Sequence, residues 1–521
     1  LYDRVERKVQ EQFLAVDIEK QMSKNQILEN YMNTINLGQN CLGVQAASKR
    51  YFGKDVKDLT LSECAVIAGI TQSPTKYNPV TNPDNNAERR KKVLGNMLKQ
   101  KYITQQEYDE ALADNVYERI QTANAAITVD SPYSYFIDAL SKDVLNDLQT
   151  KLGYSYTQAY NALYSGGLSI YATQDLAMQQ ICDEELNNPD NYPSATEVAV
   201  EYALTVVRGA DNSVENYSTE MFANYIRSTR GDDQPLIYSD AGSAQQAIDE
   251  FKSTLNIQEG DTIDEKLSLA IQPQASCVVM DQYTGYVKAL VGGRGVKEKS
   301  LSLNRATDSY RQPGSCFKIL STYAPALDIG KYTLATVVKD EPTTYTNGTP
   351  VRNWWGDSYR GDVTVRKAIE QSMNVVTVKV FADITPQLGF NYLKNFGFTT
   401  LVENENGYSD IQLPTALGGI TKGVINEEMT AAYACIANNG TYIAPILYTK
   451  ILDHDGNVLL DNTPEQHQVL QDSTAALLTN AMQDVVTKGT GTRAQLSNMP
   501  VSGKTGTTSD NKDIWFSGFT P

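Results

Sequence analysis

The sequence predicts a multidomain α+β protein: a partial all-α N-terminal portion, a mixed linker region, then a domain of antiparallel sheet flanked by helices. Three observations predict it. A chain of 521 residues exceeds what one hydrophobic core organises. Apolar residues recur at helical spacing up to about residue 115. From Ala275 onward, strand-like runs alternate with helical stretches. Hydrophobic residues at 41% and charged residues at 21% supply the material for real cores, which excludes disorder throughout.

Residues 1–115 carry the helical signal at Val5, Val9 and Phe13, and again at Ile27, Leu28, Tyr31, Met32 and Ile35. Capping boxes, Ser23 with Gln26 and Thr60 with Glu63, predict two helix starts. A Pro/Asn stretch from Ser73 to Asn86 interrupts the helices, and a further one runs through Tyr108. Residues 116–274 are predicted as the linker region, with a Gly166-Gly167 turn and a strand over Leu168 to Thr173. Within it, residues 183–265 are rich in Asp, Glu, Asn and Ser, which suggests a solvated insertion or small subdomain. Residues 275–521 open with strands Ser276 to Met280 and Tyr286 to Val291, a hairpin turning at Gly285. Helices are predicted around 315–328, 364–380 and 426–438, and a last hairpin over roughly 500–520.

Composition excludes several function classes. Acidic residues number 62 and basic ones 45, and the net charge of −17 repels polyanions, which argues against broad nucleic-acid binding. His454 and His467 are the only histidines and share one polar stretch, which argues against histidine-rich zinc sites and a histidine-based triad. The six cysteines contain no C-x-x-C pair and read as mostly free thiols. No apolar run reaches the roughly 18 to 20 residues that span a bilayer. No signal sequence follows Leu1, and a targeting segment upstream of it is compatible with that start.

Three motifs carry the chemistry. Ser315-Cys316-Phe317-Lys318 follows Pro313-Gly314, a turn pair predicted to launch a helix at the serine. At i and i+3, hydroxyl and amine share a helical face as nucleophile and base. An ordinary lysine, with a pKa near 10.4, is neutral in only about one molecule in 2500 at pH 7, a deficit of roughly 4 to 5 kcal/mol. Burial and a second cation, offered by Lys504, would depress that pKa. The second motif, Ser372-Met373-Asn374, lies in a predicted helical context, where a hydroxyl relays protons and an amide holds a substrate carbonyl. The third, Lys504-Thr505-Gly506-Thr507-Thr508, lies in a predicted strand over Val501 to Thr508. Alternation sets Thr505 and Thr507 on one side and Lys504 on the other, and Gly506 lets a ligand approach as an added strand.

Each motif alone has a bland reading. Ser73-Pro74-Thr75-Lys76 repeats the first spacing in a loop, and Ser23-Lys24-Asn25 and Ser509-Asp510-Asn511 repeat the second at a helix start and a turn. What carries the reading is the trio in order at 315, 372 and 504. S-x-x-K with S-D-N and K-T-G marks class A β-lactamases and penicillin-binding proteins. The chain resembles a class A, bifunctional penicillin-binding protein. Arg311-Gln312-Pro313-Gly314-Ser315, Gly418-Gly419 to Asn439-Gly440 and Asp513-Ile514-Trp515-Phe516 extend the likeness. Arg7-Lys8-Val9-Gln10-Glu11, Lys24 to Asn33 (with Glu29) and Tyr51-Phe52-Gly53-Lys54 are similar to motifs in the second half of that family's glycosyltransferase domain. On spacing alone Arg7, Lys8 and Glu11 would be a solvated helical face; their order favours diphosphate neutralisation by Arg7 and Lys8, with Glu11 beside them.

The resemblance implies a lysozyme-like glycosyltransferase fold before a penicillin-binding/β-lactamase-like transpeptidase domain. It implies Ser315, Lys318, Ser372 and Lys504 as catalytic, and Asn374, Thr505, Gly506 and Thr507 as substrate-binding. Arg7, Lys8, Glu11, Lys24 and Glu29 belong to the glycosyltransferase part. Expected partners are peptidoglycan stem peptides, lipid II and glycan strands, with β-lactams as inhibitors and no nucleic acid. Transpeptidation is expected to need no cofactor; a divalent cation for the glycosyltransferase leaves no readable mark. The resemblance places the catalytic glutamate motif and a membrane anchor ahead of Leu1, and a closing helix after Pro521. The expected location is the outer face of a bacterial plasma membrane. The acidic insertion is expected to be a passive loop rather than a dock for a cell-wall protein. Cys316 departs from the Ser or Thr usual there. A DD-carboxypeptidase or β-lactamase-type hydrolase, and a non-catalytic β-lactam-binding scaffold, are the alternatives.

Overall fold

The computed structural model describes residues 12, 14–39, 41, 43–120, 132–193, 197–211, 213–233 and 236–521. Contacts divide the chain into two units, Leu1–Ser131 and Pro132–Pro521. In the first, helices Lys24–Thr34, Val44–Phe52, Leu61–Ile70, Pro83–Lys99 and Gln105–Ala113 follow one another. The Ser23/Gln26 and Thr60/Glu63 boxes cap theirs reciprocally, each side chain binding the other's backbone N–H. A third box, Thr104 with Glu107, starts a separate helix where one continuous segment was expected. The core gathers Leu37, Tyr51, Val66, Ile67, Ile70, Val116 and Ile120. The helix Lys24–Thr34 forms as its spacing predicts, yet Leu28, Tyr31 and Met32 stay exposed on it.

The second unit takes in much of the predicted linker. Helix Tyr135–Thr150 packs Phe136, Leu140, Val144 and Leu148 against Val287, Leu290, Tyr448 and Ile451. Strand Ser169–Ala172 pairs antiparallel with Tyr448–Leu452. Local pattern could not show this, because the partner strand lies far along the chain. The acidic insertion is a folded subdomain rather than a passive loop. Strands Glu197–Val207 and Thr262–Gln272 pair antiparallel along their whole length, with Val214–Tyr217 and Ile237–Tyr238 alongside. Val200, Tyr202, Leu204 and Val206 alternate inward to meet Phe222, Ile226, Ile248 and Phe251 from two helices. The acidic residues that dominated its composition include Glu197 and Glu201 on the outer face of the first of these strands.

The expected Gly285 hairpin joins Cys277–Met280 to Val287–Val291. A third core surrounds the motif segments, with Phe317, Leu320, Tyr323, Val376, Phe381, Met429, Tyr433, Leu478 and Met482 fully or almost fully buried. Helices Asn426–Ala437 and Asp472–Lys488 and the hairpin of Ser502–Thr507 with Ile514–Phe519 complete it. Two segments differ from expectation. Ser315 lies in a 3-10 turn, Gly314–Cys316, followed by a π-helical stretch Lys318–Tyr323 and only then α-helix Ala324–Asp328. The 364–380 helix is broken: Val365–Glu370 stops and Asn374–Ile384 restarts. Irregular helical geometry of this kind concentrates at functional sites.

Candidate active site

The two irregularities place the polar side chains. At the break between helices, Ser372 has φ +53, a left-handed conformation unusual for serine. The turn sends its carbonyl towards Lys318 Nζ, which donates to Ser372 O at 2.7 Å, Ser372 Oγ at 3.2 Å and Asn374 Oδ1 at 2.6 Å. From the strand Ser502–Thr507, Lys504 Nζ donates to the same Ser372 Oγ at 2.8 Å and to Thr505 O at 2.9 Å. One hydroxyl therefore bridges two amines that start far apart along the chain.

Both lysines have no exposed surface, and every partner of the two nitrogens is an uncharged oxygen. Burial, and then the nearby Lys504 charge, hold Lys318 well below the usual lysine range. Burial, partly opposed by Cys316, brings Lys504 down to about 8. Of the two, Lys318 is therefore the one driven towards the free amine, a form that donates two of its three bonds and takes the Ser372 hydroxyl hydrogen on its lone pair.

Ser315 is brought to the same place by backbone packing. A Cβ on Gly506 would lie 2.4 Å from Pro313 O and 2.9 Å from Cys316 Sγ, so only glycine lets the strand lie against the nucleophile turn. A Cβ on Gly314, at φ +53, would lie 2.9 Å from Thr507 O, and one on Gly418 2.4 Å from Gly314 O. Cys316 is fully buried; its thiol donates to Lys504 O at 3.2 Å, and Tyr433 OH donates to Cys316 O at 2.8 Å. Gln312 is pinned by two bonds with Ile420 and one from Trp515 Nε1. No hydrogen bond joins Ser315 Oγ to Lys318, whose donors are directed to Ser372 and Asn374. The 3-10 turn leads straight into the π-helical start, and the 3-10 spacing of three residues still sets Ser315 and Lys318 on one face.

The strand supplies the remaining wall. Burial alternates from Lys504 to Thr507, with Lys504 and Gly506 inward and Thr505 and Thr507 outward. Thr508 N–H donates to Asp513 O in the hairpin, so in an antiparallel ladder the Thr507 amide points the other way, to the open edge. Asn374 has two duties: Oδ1 holds Lys318, while Nδ2 donates to Arg352 O at 2.7 Å and keeps a second hydrogen.

Sequence reasoning missed three contributors. Asn353 accepts from the Asn374 and Val375 amides and donates to Asp340, fixing the restart of the helix. Thr490 hydrogen-bonds Thr505 at 2.6 Å, Oγ1 to Oγ1, and Tyr433 steadies the nucleophile turn. No local motif marks Asn353 or Tyr433; the Gly489-Thr490-Gly491 bracket was the available signal for Thr490.

Ser73 to Lys76 lies in a loop of the first unit, Ser23 caps a helix, and Ser509–Asn511 turns the last hairpin. Arg7, Lys8 and Glu11 lie outside the described residues. Lys24 and Glu29 are exposed on one helix, Lys24 ion-paired with Glu19, and a separation of five residues sets them on different faces. Lys54, of the Tyr51–Lys54 motif, instead meets the fully buried Glu63, which Arg119 also holds. Among the described residues no cluster of three or more His, Cys, Asp or Glu side chains is arranged to hold a metal, and no helix is long and apolar enough to cross a membrane.

Comparison with known proteins agrees with this architecture. Residues 275–521 match the penicillin binding protein transpeptidase domain and residues 2–98 the transglycosylase family. Penicillin-binding protein 1A of Clostridium botulinum (strain Langeland) is 35% identical over 99% of this chain and 55% of its own length. Penicillin-binding protein 1A of Clostridium perfringens (strain 13) is 31% identical over 99% of this chain and 68% of its own. The crystal structure of penicillin-binding protein 1A from Haemophilus influenzae shares the fold, with a TM-score of 0.62 at 24% identity, covering 96% of this chain and 80% of that one. The chain belongs to the penicillin-binding protein 1A family. It spans about half the length of several of these curated relatives.

Proposed function

We propose that the protein is a peptidoglycan synthase whose second unit cross-links D-Ala-D-Ala stem peptides by serine acyl transfer. The observation that carries this is the single hydroxyl, Ser372 Oγ, held between two fully buried lysines. Ser315 Oγ attacks the penultimate D-Ala carbonyl, and neutral Lys318 takes its proton. The bond between them forms when substrate displaces Lys318 from part of its present set of acceptors. The oxyanion sits on the Ser315 and Thr507 amides, each such donor typically worth about 3 to 4 kcal/mol. Lys504, the retained cation, polarises Ser372, which passes a proton to the departing D-Ala amine. Thr505 and Thr507 hold the substrate carboxylate along the open edge beside Gly506, and the free Asn374 Nδ2 hydrogen meets a substrate carbonyl. An amine of a neighbouring stem then resolves the acyl-enzyme. No step is assigned to a metal or cofactor.

Penicillins acylate Ser315 because they mimic D-Ala-D-Ala. Arg7, Lys8, Glu11, Lys24 and Glu29 contribute to lipid II binding in the glycosyltransferase part of the whole protein. Glycan strands are further partners, and the protein works on the outer face of the plasma membrane, a reading that membership of the family supports. Labelled penicillin with intact-mass analysis tests the nucleophile: one adduct is expected, lost in Ser315→Ala and kept in Ser73→Ala. An adduct surviving in folded Ser315→Ala would overturn the assignment. Cross-linked muropeptide dimers support the synthase; tripeptides or tetrapeptides alone would point to a hydrolase.

A further inference from the structure

A cavity of about 550 Å³ opens between helices Tyr135–Thr150 and Tyr156–Ser165 and the 301–308 segment. It shares no lining residue with the acyl-transfer site. Tyr156, Tyr160 and Tyr164, at i, i+4 and i+8, line it from one face of their helix. They are 62%, 41% and 39% exposed, with ring centroids 6.2 and 4.6 Å apart, while Ala159 on the same helix is fully buried. The stripe runs for about 12 Å, longer than a single sugar ring. Opposite it, Asp138 is only 5% exposed, and its Oδ1, like Ser302 Oγ, is buried without a hydrogen-bond partner. Buried polar atoms left unsatisfied are costly and call for a ligand or water.

The charges narrow the ligand. Asp138 is neutralised by Lys297 at 2.7 Å and Asp308 by Lys142 at 2.5 Å. Asp143 is pushed up to about 6, by burial first and then by Asp147, and still ionises at neutral pH. Two of the three carboxylates lining the cavity are thus already paired, which leaves a cation one open carboxylate. A neutral, hydroxyl-rich chain finds ring faces along one wall and acceptors along the other. We propose that this cavity binds a stretch of glycan as carbohydrate, and so holds a glycan strand on the transpeptidase unit. The inference rests on the peptidoglycan reading above.

The test titrates peptide-free chitotetraose into the whole chain by calorimetry, with penicillin acylation measured in parallel. Saturable binding is expected, weakened about tenfold in Tyr160→Ala/Tyr164→Ala. Tyr160→Phe, which keeps the ring face, is expected to retain it, and acylation should be unchanged in every variant. No saturable binding at millimolar sugar, binding indifferent to the double substitution, or a tyrosine-dependent preference for tetramethylammonium would each overturn the proposal. Failure of penicillin to acylate the parent protein would strike the transpeptidase reading instead and leave the sugar titration readable.

Discussion

Removing the Ser372 hydroxyl is the sharpest perturbation of the site, because that oxygen is the shared acceptor of both lysines. In Ser372→Ala, Lys504 loses one of its two partners and Lys318 the longest of its three. A hydrogen bond to a charged group contributes about 1.5 to 3 kcal/mol, so a stability loss of that size is expected, dominated by the 2.8 Å bond from Lys504. The lost proton relay lowers acylation about 10²- to 10³-fold, or roughly 3 to 4 kcal/mol of barrier. Ser372→Gly separates the effects. It removes the same hydroxyl but relieves the φ of +53, so it should be more stable than the alanine variant by about 1 kcal/mol, with equal loss of acylation. Stopped-flow acylation by a fluorescent penicillin, with denaturant melts of each variant, gives both numbers. Acylation within threefold of the parent in both variants would refute the bridging role.

Acylation should fall as pH rises through about 8, where Lys504 loses its proton, and Lys504→Arg should move that limb upward; a pH–rate profile checks both. The same lysine predicts a stability slope. Native Lys504 deprotonates at about 8, whereas the unfolded chain holds that proton to about 10.4. Unfolding free energy therefore rises from pH 8 towards 10, and the penalty of charging is fully present below 8; a flatter melt series in Lys504→Met is the check. Glu427 runs the other way. Burial, then Asp143, raises it to about 8. Native Glu427 keeps a proton that the unfolded chain releases near its ordinary pKa, so stability falls with rising pH between those values by up to about 1.4 kcal/mol per pH unit. Glu427→Gln should remove that slope in melts at successive pH values. Cys316, pushed up to about 11 chiefly by burial, should resist iodoacetamide in the folded protein while exposed Cys64 reacts; Cys316→Ser should acylate within threefold of the parent. Gly506→Ala, whose methyl would stand 2.4 Å from Pro313 O, should lose most penicillin labelling and melt lower.

Chemistry-bearing residue types and local starts were legible in the sequence because they depend on neighbours a few positions away. The Ser23 and Thr60 capping boxes, the Gly285 hairpin and the alternation through Lys504, Thr505 and Thr507 are of that kind. Periodicity could not reveal that the 364–380 segment breaks at Ser372, because the apolar spacing continues through it; the break is held by Asn353, anchored in turn to Asp340. Composition left the 183–265 insertion open between a solvated insertion and a small subdomain, because it averages over a sheet whose buried positions, Val200, Tyr202, Leu204 and Val206, alternate with exposed ones. The amino-acid order by itself determined which hydroxyls and amines exist and in what sequence they are presented. Only the tertiary structure decided that Lys318 and Lys504, both fully buried, share one hydroxyl, and desolvation, which no string of residues displays, is the main cause that lowers their pKa values.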